Sequence, residues 1–160
     1  MNENDNYTLE EAQLLFAKRT HGRTWELLET PARSQDQDEE MLHAAHASLY
    51  HCLRVGTAVH HQRGLWMIAR VHVALDQAAE ALRYARRCLD LTEQHSEAME
   101  DFDLAFAYEG MARASALAGE KEKARHYHQL AEQAGQAISD QEDHDIFVAD
   151  LASGDWFGIL

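Results

Sequence analysis

Glu40, His43 and His46 succeed one another in steps of three, so a helix brings them to one face. A Glu-x-x-His pair in that arrangement is a donor set for a divalent metal, or for proton transfer. His72, with Asp103 or Glu109, would complete such a site if the elements carrying them converge. A dinuclear carboxylate bundle needs a second Glu-x-x-His, and the chain has none. His46 also takes the place of Leu82 under an offset of 36, which describes a core-facing ring satisfied by one hydrogen bond. His60, His61, His126 and His128 fall at helical positions expected to be exposed. Eleven histidines on an acidic chain should make its charge change steeply between about pH 5 and 7.

Other chemistries lack their residues. There is no glycine-rich phosphate loop, nucleophile elbow, Cys-x-x-Cys pair or His-Glu-x-x-His stretch. Nucleophilic catalysis therefore finds no support, and no cofactor is implied beyond the divalent metal of the reading above. Cys52 and Cys88 each sit inside a helical apolar pattern and read as buried thiols in a reducing compartment. Glu100, Asp101 and Asp103 open a helix, where the macrodipole suffices to account for them.

A chain of 160 residues can bury one real core and is too short for two ordinary domains. One proline, eight glycines and apolar runs that neither alternate nor favour β-branched residues predict an all-α fold. Fourteen basic against 28 acidic residues leave a net charge of −14, which repels phosphate backbones and anionic headgroups. Nucleic acid and membranes are thus not expected partners. The start of the chain is polar and acidic where a secretory signal would be basic and then apolar, and no apolar run approaches membrane-spanning length. A soluble, cytoplasmic protein is expected.

These residues need helices to position them. Thr8, three residues before Glu11, can cap a first helix whose stripe is Leu9, Ala12, Leu15 and Phe16; Gly22 could kink it before Trp25 and Leu28, and Pro31 ends it. Ser34 caps a second helix that runs to Val55 and stops at Gly56. Further helices are predicted over 59–75, 78–92, 101–118 and 121–138, with Gly119 as a left-handed terminator and a last helix over 140–151. Trp156, Phe157, Ile159 and Leu160 are too apolar for a free end, and should fold back as a cap or dock on a partner or second subunit.

The third to sixth helices contain one pattern twice. Ala69, Arg70, Ala81, Tyr84 and Cys88 precede Ala112, Arg113, Ala124, Tyr127 and Ala131 by 43 positions, and the turn Leu75-Asp76 precedes Ala118-Gly119 by the same distance. The first two helices join in loosely, since Ala45, Leu49, Cys52 and Leu53 precede Ala81, Ala85, Cys88 and Leu89 by 36. Small residues at matching points of two helices permit a close crossing.

Each copy resembles a tetratricopeptide repeat, carried by Leu65, Ile68, Ala69, Ala81 and Cys88 in the first and by Tyr108, Met111, Ala112, Gly119, Ala124 and Ala131 in the second. The period is longer than that family's, and His72 and Ser115 stand where its aromatic is expected. The resemblance implies about three antiparallel helix pairs, at 8–56, 59–96 and 101–138, after a polar tail at 1–7 and before a capping helix and tail at 140–160. It also implies a groove lined by the first helix of each pair, with Arg63, Trp66, Met67 and Arg70 from one copy and Phe106, Glu109, Gly110 and Arg113 from the other. Arg70 and Arg113 would offer guanidinium forks to a carboxylate or another anion, with Trp66 and Phe106 as apolar contacts, or would instead pair with neighbouring carboxylates.

The expected function is accordingly a non-enzymatic interaction module binding a peptide, a protein partner or a small anionic ligand. A metal- or histidine-dependent enzyme built on Glu40, His43, His46 and His72 is the alternative. A homo-oligomer is possible because so few stacked units leave apolar ends to cover.

Overall fold

The computed structural model describes residues 7–159; the polar segment 1–6 and Leu160, assigned above to the two tails, lie outside the described residues. Among the described residues are seven α-helices and no strand: α1 (Leu9–Leu28), α2 (Gln35–Val55), α3 (Ala58–Ala74), α4 (Ala78–Gln94), α5 (Asp101–Leu117), α6 (Lys121–Gly135) and α7 (Gln141–Ala152). They form a repeat-like bundle of adjacent antiparallel pairs, α1 on α2, α3 on α4 and α5 on α6, with α7 against α5 and α6. None of these helices is long and apolar enough to cross a membrane.

Local chemistry sets the boundaries. Thr8 and Glu11 form a capping box in which the Glu11 carboxylate accepts from Thr8 N at 2.8 Å, and Ser34 with Gln37 does the same for α2. Gly22 does not interrupt α1, which runs through it unbroken; nothing lies within 4 Å of a Cβ built there. α6 stops at Gly135, short of the predicted Ile138, which is instead buried in the turn that follows.

The two copies agree down to their turns. Asp76 and Gly119 both adopt positive φ, 56° and 75°, and the amides of Gln77 and Glu120 donate to the carbonyls of His72 and Ser115 at 2.9 Å each. This is the same Schellman-type closure at equivalent positions; glycine enters the left-handed region freely, and aspartate is among the few side chains that tolerate it. Ala69 and Ala112, Ala81 and Ala124, Cys88 and Ala131 are all buried where the helices cross. The looser correspondence of the first pair fails at its last turn, because Leu53 is 57% exposed while Leu89 is buried. Leu9, Phe16 and Tyr50 are exposed on the same pair.

The core has two parts. Leu27, Met41, Leu65, Met67, Ile68 and Leu89 fill the first, between α1 and α5; Phe147, Leu151, Trp156 and Ile159 close the second over α5 and α6. The C-terminal segment thus covers the last helix pair. Cys52 and Cys88 are free thiols, and burial pushes the pKa of both upward.

Candidate functional site

The odd-numbered helices share a cavity of about 230 Å³. Helical spacing places its walls. His21 and Trp25, four apart, come from α1; Arg63 and Trp66 from α3; Phe102 and Phe106 from α5; Ile146 and Asp150 from α7. The rings form a continuous row across the helices, with centroids 5.9 Å apart for Trp25 and Trp66, 5.2 Å for Trp66 and Phe106, and 5.0 Å for Phe106 and Phe147. Gly110 lets α5 approach this row, since a Cβ there would lie 3.3 Å from Trp66 Cδ1.

Behind the rings runs a chain of ion pairs. Arg63 holds Asp103 through two bonds, Nε to Oδ1 at 2.8 Å and Nη2 to Oδ2 at 3.1 Å. Asp103, read above as a dipole-stabilising residue, also accepts from Glu100 N at 3.0 Å and is almost fully buried, so it serves both helix and ion pair. Arg70 places its fork on Asp150 at 2.7 and 2.6 Å and reaches Glu109 Oε1 at 3.4 Å. Arg113 Nε donates to Glu109 Oε1 at close range, its Nη2 donates to the Asp150 carbonyl at 2.8 Å, and its guanidinium lies 4.3 Å from the Trp156 ring centre. Trp66 Nε1 completes the shell of Glu109, donating to Oε2 at 3.1 Å.

Of the groove residues expected from sequence, Arg63, Trp66 and Phe106 line the cavity, and Arg70 forms its edge through Asp150. Glu109 and Arg113 are buried behind it, 1% and 5% exposed. Met67 is in the core, because one residue along a helix turns the side chain by about 100° from Trp66. His21, Trp25, Gln62, Phe102, Ile146 and Asp150 also line the site without having been singled out for it. Phe102 was within reach of a sequence reading, one turn before Phe106; nothing local marks Asp150.

The residues of the metal alternative do not come together as one cluster. Glu40 is held by Arg23 at 2.7 and 2.9 Å, and His43 is exposed. His46 and His72 do meet, with ring centres 6.2 Å apart, but both pack on Tyr84, and His72 Nδ1 bonds Gln77 Oε1 at 2.6 Å. Glu109 belongs to the arginine row. Among the described residues no three His, Cys, Asp or Glu side chains stand in a metal-binding arrangement. His61 and His128, expected exposed, are partly buried, one with Nε2 at 3.0 Å from the Cys52 carbonyl and the other 4.8 Å from the Trp156 ring.

His46 has a measurable consequence. Its partial burial, then the charges of His72, Arg83 and His43, lower its pKa from the ordinary 6.5, with Glu80 opposing. The unfolded chain therefore binds the proton more readily, so this contribution to stability is complete above about pH 6.5 and is lost as pH falls toward the depressed folded value. Thermal melts from pH 7.5 to 5 should show a falling Tm, and His46→Leu should flatten that slope. An unchanged slope would remove His46 as its source.

No family model matches the chain, and no curated protein or solved structure matches it either.

Proposed function

We propose that this protein is a non-enzymatic interaction module, a tetratricopeptide-like helical repeat that holds an apolar side chain of a peptide or protein partner in the cavity between α1, α3, α5 and α7. The observation that carries the reading is the row of aromatic rings opening onto that cavity while the surrounding charges are committed to one another. Size supports it. An apolar cavity of about 150 Å³ already holds benzene, whereas pockets for drug-sized ligands span about 300–1,000 Å³, so this one suits a single Phe, Leu or Met side chain. A small anion has less support, because the forks of Arg63 and Arg70 are occupied by Asp103 and Asp150, and Arg113 is held by Glu109.

Indole and 4-methylphenol are suitable probes, with the three tryptophan Nε1–H resonances as reporters. The expected result is a shift at Trp25 and Trp66 but not at Trp156, whose Nε1 donates to the Leu151 carbonyl at 3.2 Å outside the cavity. Ile146 is 54% exposed, so Ile146→Trp should narrow the cavity without unfolding the chain and should abolish the shift. No shift in the wild type, or an equal shift in the variant, would sink the proposal.

A further inference from the structure

Beside the aromatic cavity, and sharing Trp25 with it, lies a second compartment of about 370 Å³ whose apolar lining includes Leu28, Val73 and Phe157. Two arginines line it, but Arg70 is neutralised by Asp150 and Glu109, and Arg113 by Glu109. Three carboxylates remain, Glu29, Asp76 and Asp155. All are exposed, and none forms an ion pair with a described residue. Asp155 only accepts from Phe157 N through Oδ1, at 2.7 Å.

Their positions in the helices are unfavourable to the fold. Glu29 is the C-cap residue of α1, Asp76 follows the C-cap Leu75 of α3, and Asp155 comes shortly after the end of α7. The C-terminal end of a helix carries the negative pole of its dipole, so acids there are repelled by their own helices and cations are attracted. The end of α1 is partly offset by Arg33, whose Nη1 donates to the carbonyls of Leu27, Leu28 and Thr30, so it is the ends of α3 and α7 that add to the three carboxylates in one negative potential beside apolar walls, within a chain whose net charge is −14.

We infer that the partner held by the aromatic cavity is a basic segment: an apolar anchor seated between Trp25, Trp66 and Phe106, flanked by Lys or Arg whose aliphatic stem lies over Leu28, Val73 and Phe157 and whose charge meets Glu29, Asp76 and Asp155. The length of a lysine or arginine stem suits an apolar wall with carboxylates beside it. The inference rests on the binding role proposed above and selects, from the peptide, protein or small anion expected from the sequence, a basic peptide segment.

The test uses three fluorescein-labelled peptides with one central Phe in a Gly-Ser background, flanked on both sides by Lys-Lys, Ser-Ser or Glu-Glu, titrated by anisotropy. The Lys peptide should bind on the order of tenfold more tightly than the Ser peptide, which is the effect of a few kT of local potential, and the Glu peptide more weakly than both. In the triple variant Glu29→Gln, Asp76→Asn, Asp155→Asn the Lys advantage should vanish while binding of the Ser peptide is unchanged. That variant keeps most of the net charge, so an advantage surviving in it would come from the general field and would overturn the inference. So would equal binding of the Lys and Ser peptides, in which case the anchor cavity itself still stands. Ile146→Trp should weaken all three peptides; absence of any binding that this variant reduces overturns both the partner chemistry and the binding role. The triple variant removes acids from helix C-termini, so its melting temperature should equal or exceed that of the wild type, which verifies that it folds.

Discussion

Glu109→Ala should destabilise the protein by about 3–5 kcal/mol, the cost of stripping one partner from a buried ion pair. The carboxylate is 1% exposed and takes contacts from Arg113, Arg70 and Trp66 together. Without it Arg113 remains buried with, among the described residues, the Asp150 carbonyl and the face of Trp156 to stabilise its charge. Glu109→Gln keeps the shape and one acceptor, so its cost should be smaller, about 1.5–3 kcal/mol for loss of a charged hydrogen-bond partner. Urea titration of these variants, with Arg113→Met and Glu109→Leu/Arg113→Met, gives the decisive comparison. The double variant should recover much of the loss, since replacing both members of a buried pair with apolar groups is often close to neutral. A loss for Glu109→Ala under 1 kcal/mol would mean that water reaches Arg113 and that the pair is not a structural element. Of the two roles open to Arg113 in the sequence, an anion fork or a partner of a neighbouring carboxylate, its burial against Glu109 favours the second, so Arg113→Ala should lower stability as well.

What the sequence reveals and what it hides differ by the range of the interaction involved. Capping at Thr8 and Ser34, the stop at Gly119 and the small residues at the crossings are local or periodic, and each can be read from residues within a turn or at one fixed offset. The aromatic row is half legible: Trp66 and Phe106 follow from the repeat, whereas Trp25 lies on α1, outside the 43-residue recurrence. Asp150 is hidden altogether. It is one of 28 acidic residues and meets Arg70 across 80 positions of chain, so neither spacing nor composition distinguishes it. That one contact commits the Arg70 fork to an internal ion pair, the second of the two roles open to it in the sequence. The histidines mislead for a related reason: a shared helix face puts Glu40, His43 and His46 side by side, but a site needs other elements to meet that face, and the two that arrive, α3 with His72 and α4 with Tyr84, reach His46.

Gly135→Ala should destabilise the protein even though alanine is the better helix former. Exchanging glycine for alanine inside a helix ordinarily gains about 1 kcal/mol, and less at a last helical residue such as Gly135. At Gly135, however, a Cβ would lie 2.7 Å from Phe147 Cδ1 and nearer still to Cε1, so the ring or the helix carrying it must shift. Phe147 is 1% exposed and meets Phe106 edge-on, with ring centres 5.0 Å apart, so displacing it disturbs both the second core cluster and the aromatic row beside the cavity. Overpacking of this kind costs about 1–3 kcal/mol, enough to outweigh the propensity gain. Phe147→Ala should cost more, about 3–5 kcal/mol, because it leaves a ring-sized void under α7. Gly22→Ala is the matching control: the position is also helical, nothing lies within 4 Å of the added atom, and the change should stabilise the chain by roughly 0.5–1 kcal/mol. Opposite signs at the two glycines, read from urea midpoints, would establish that α7 is locked onto α6 through Phe147. The same sign at both would mean that α7 shifts freely over Gly135, in which case the Asp150 bridge to Arg70 could not keep the cavity wall in place.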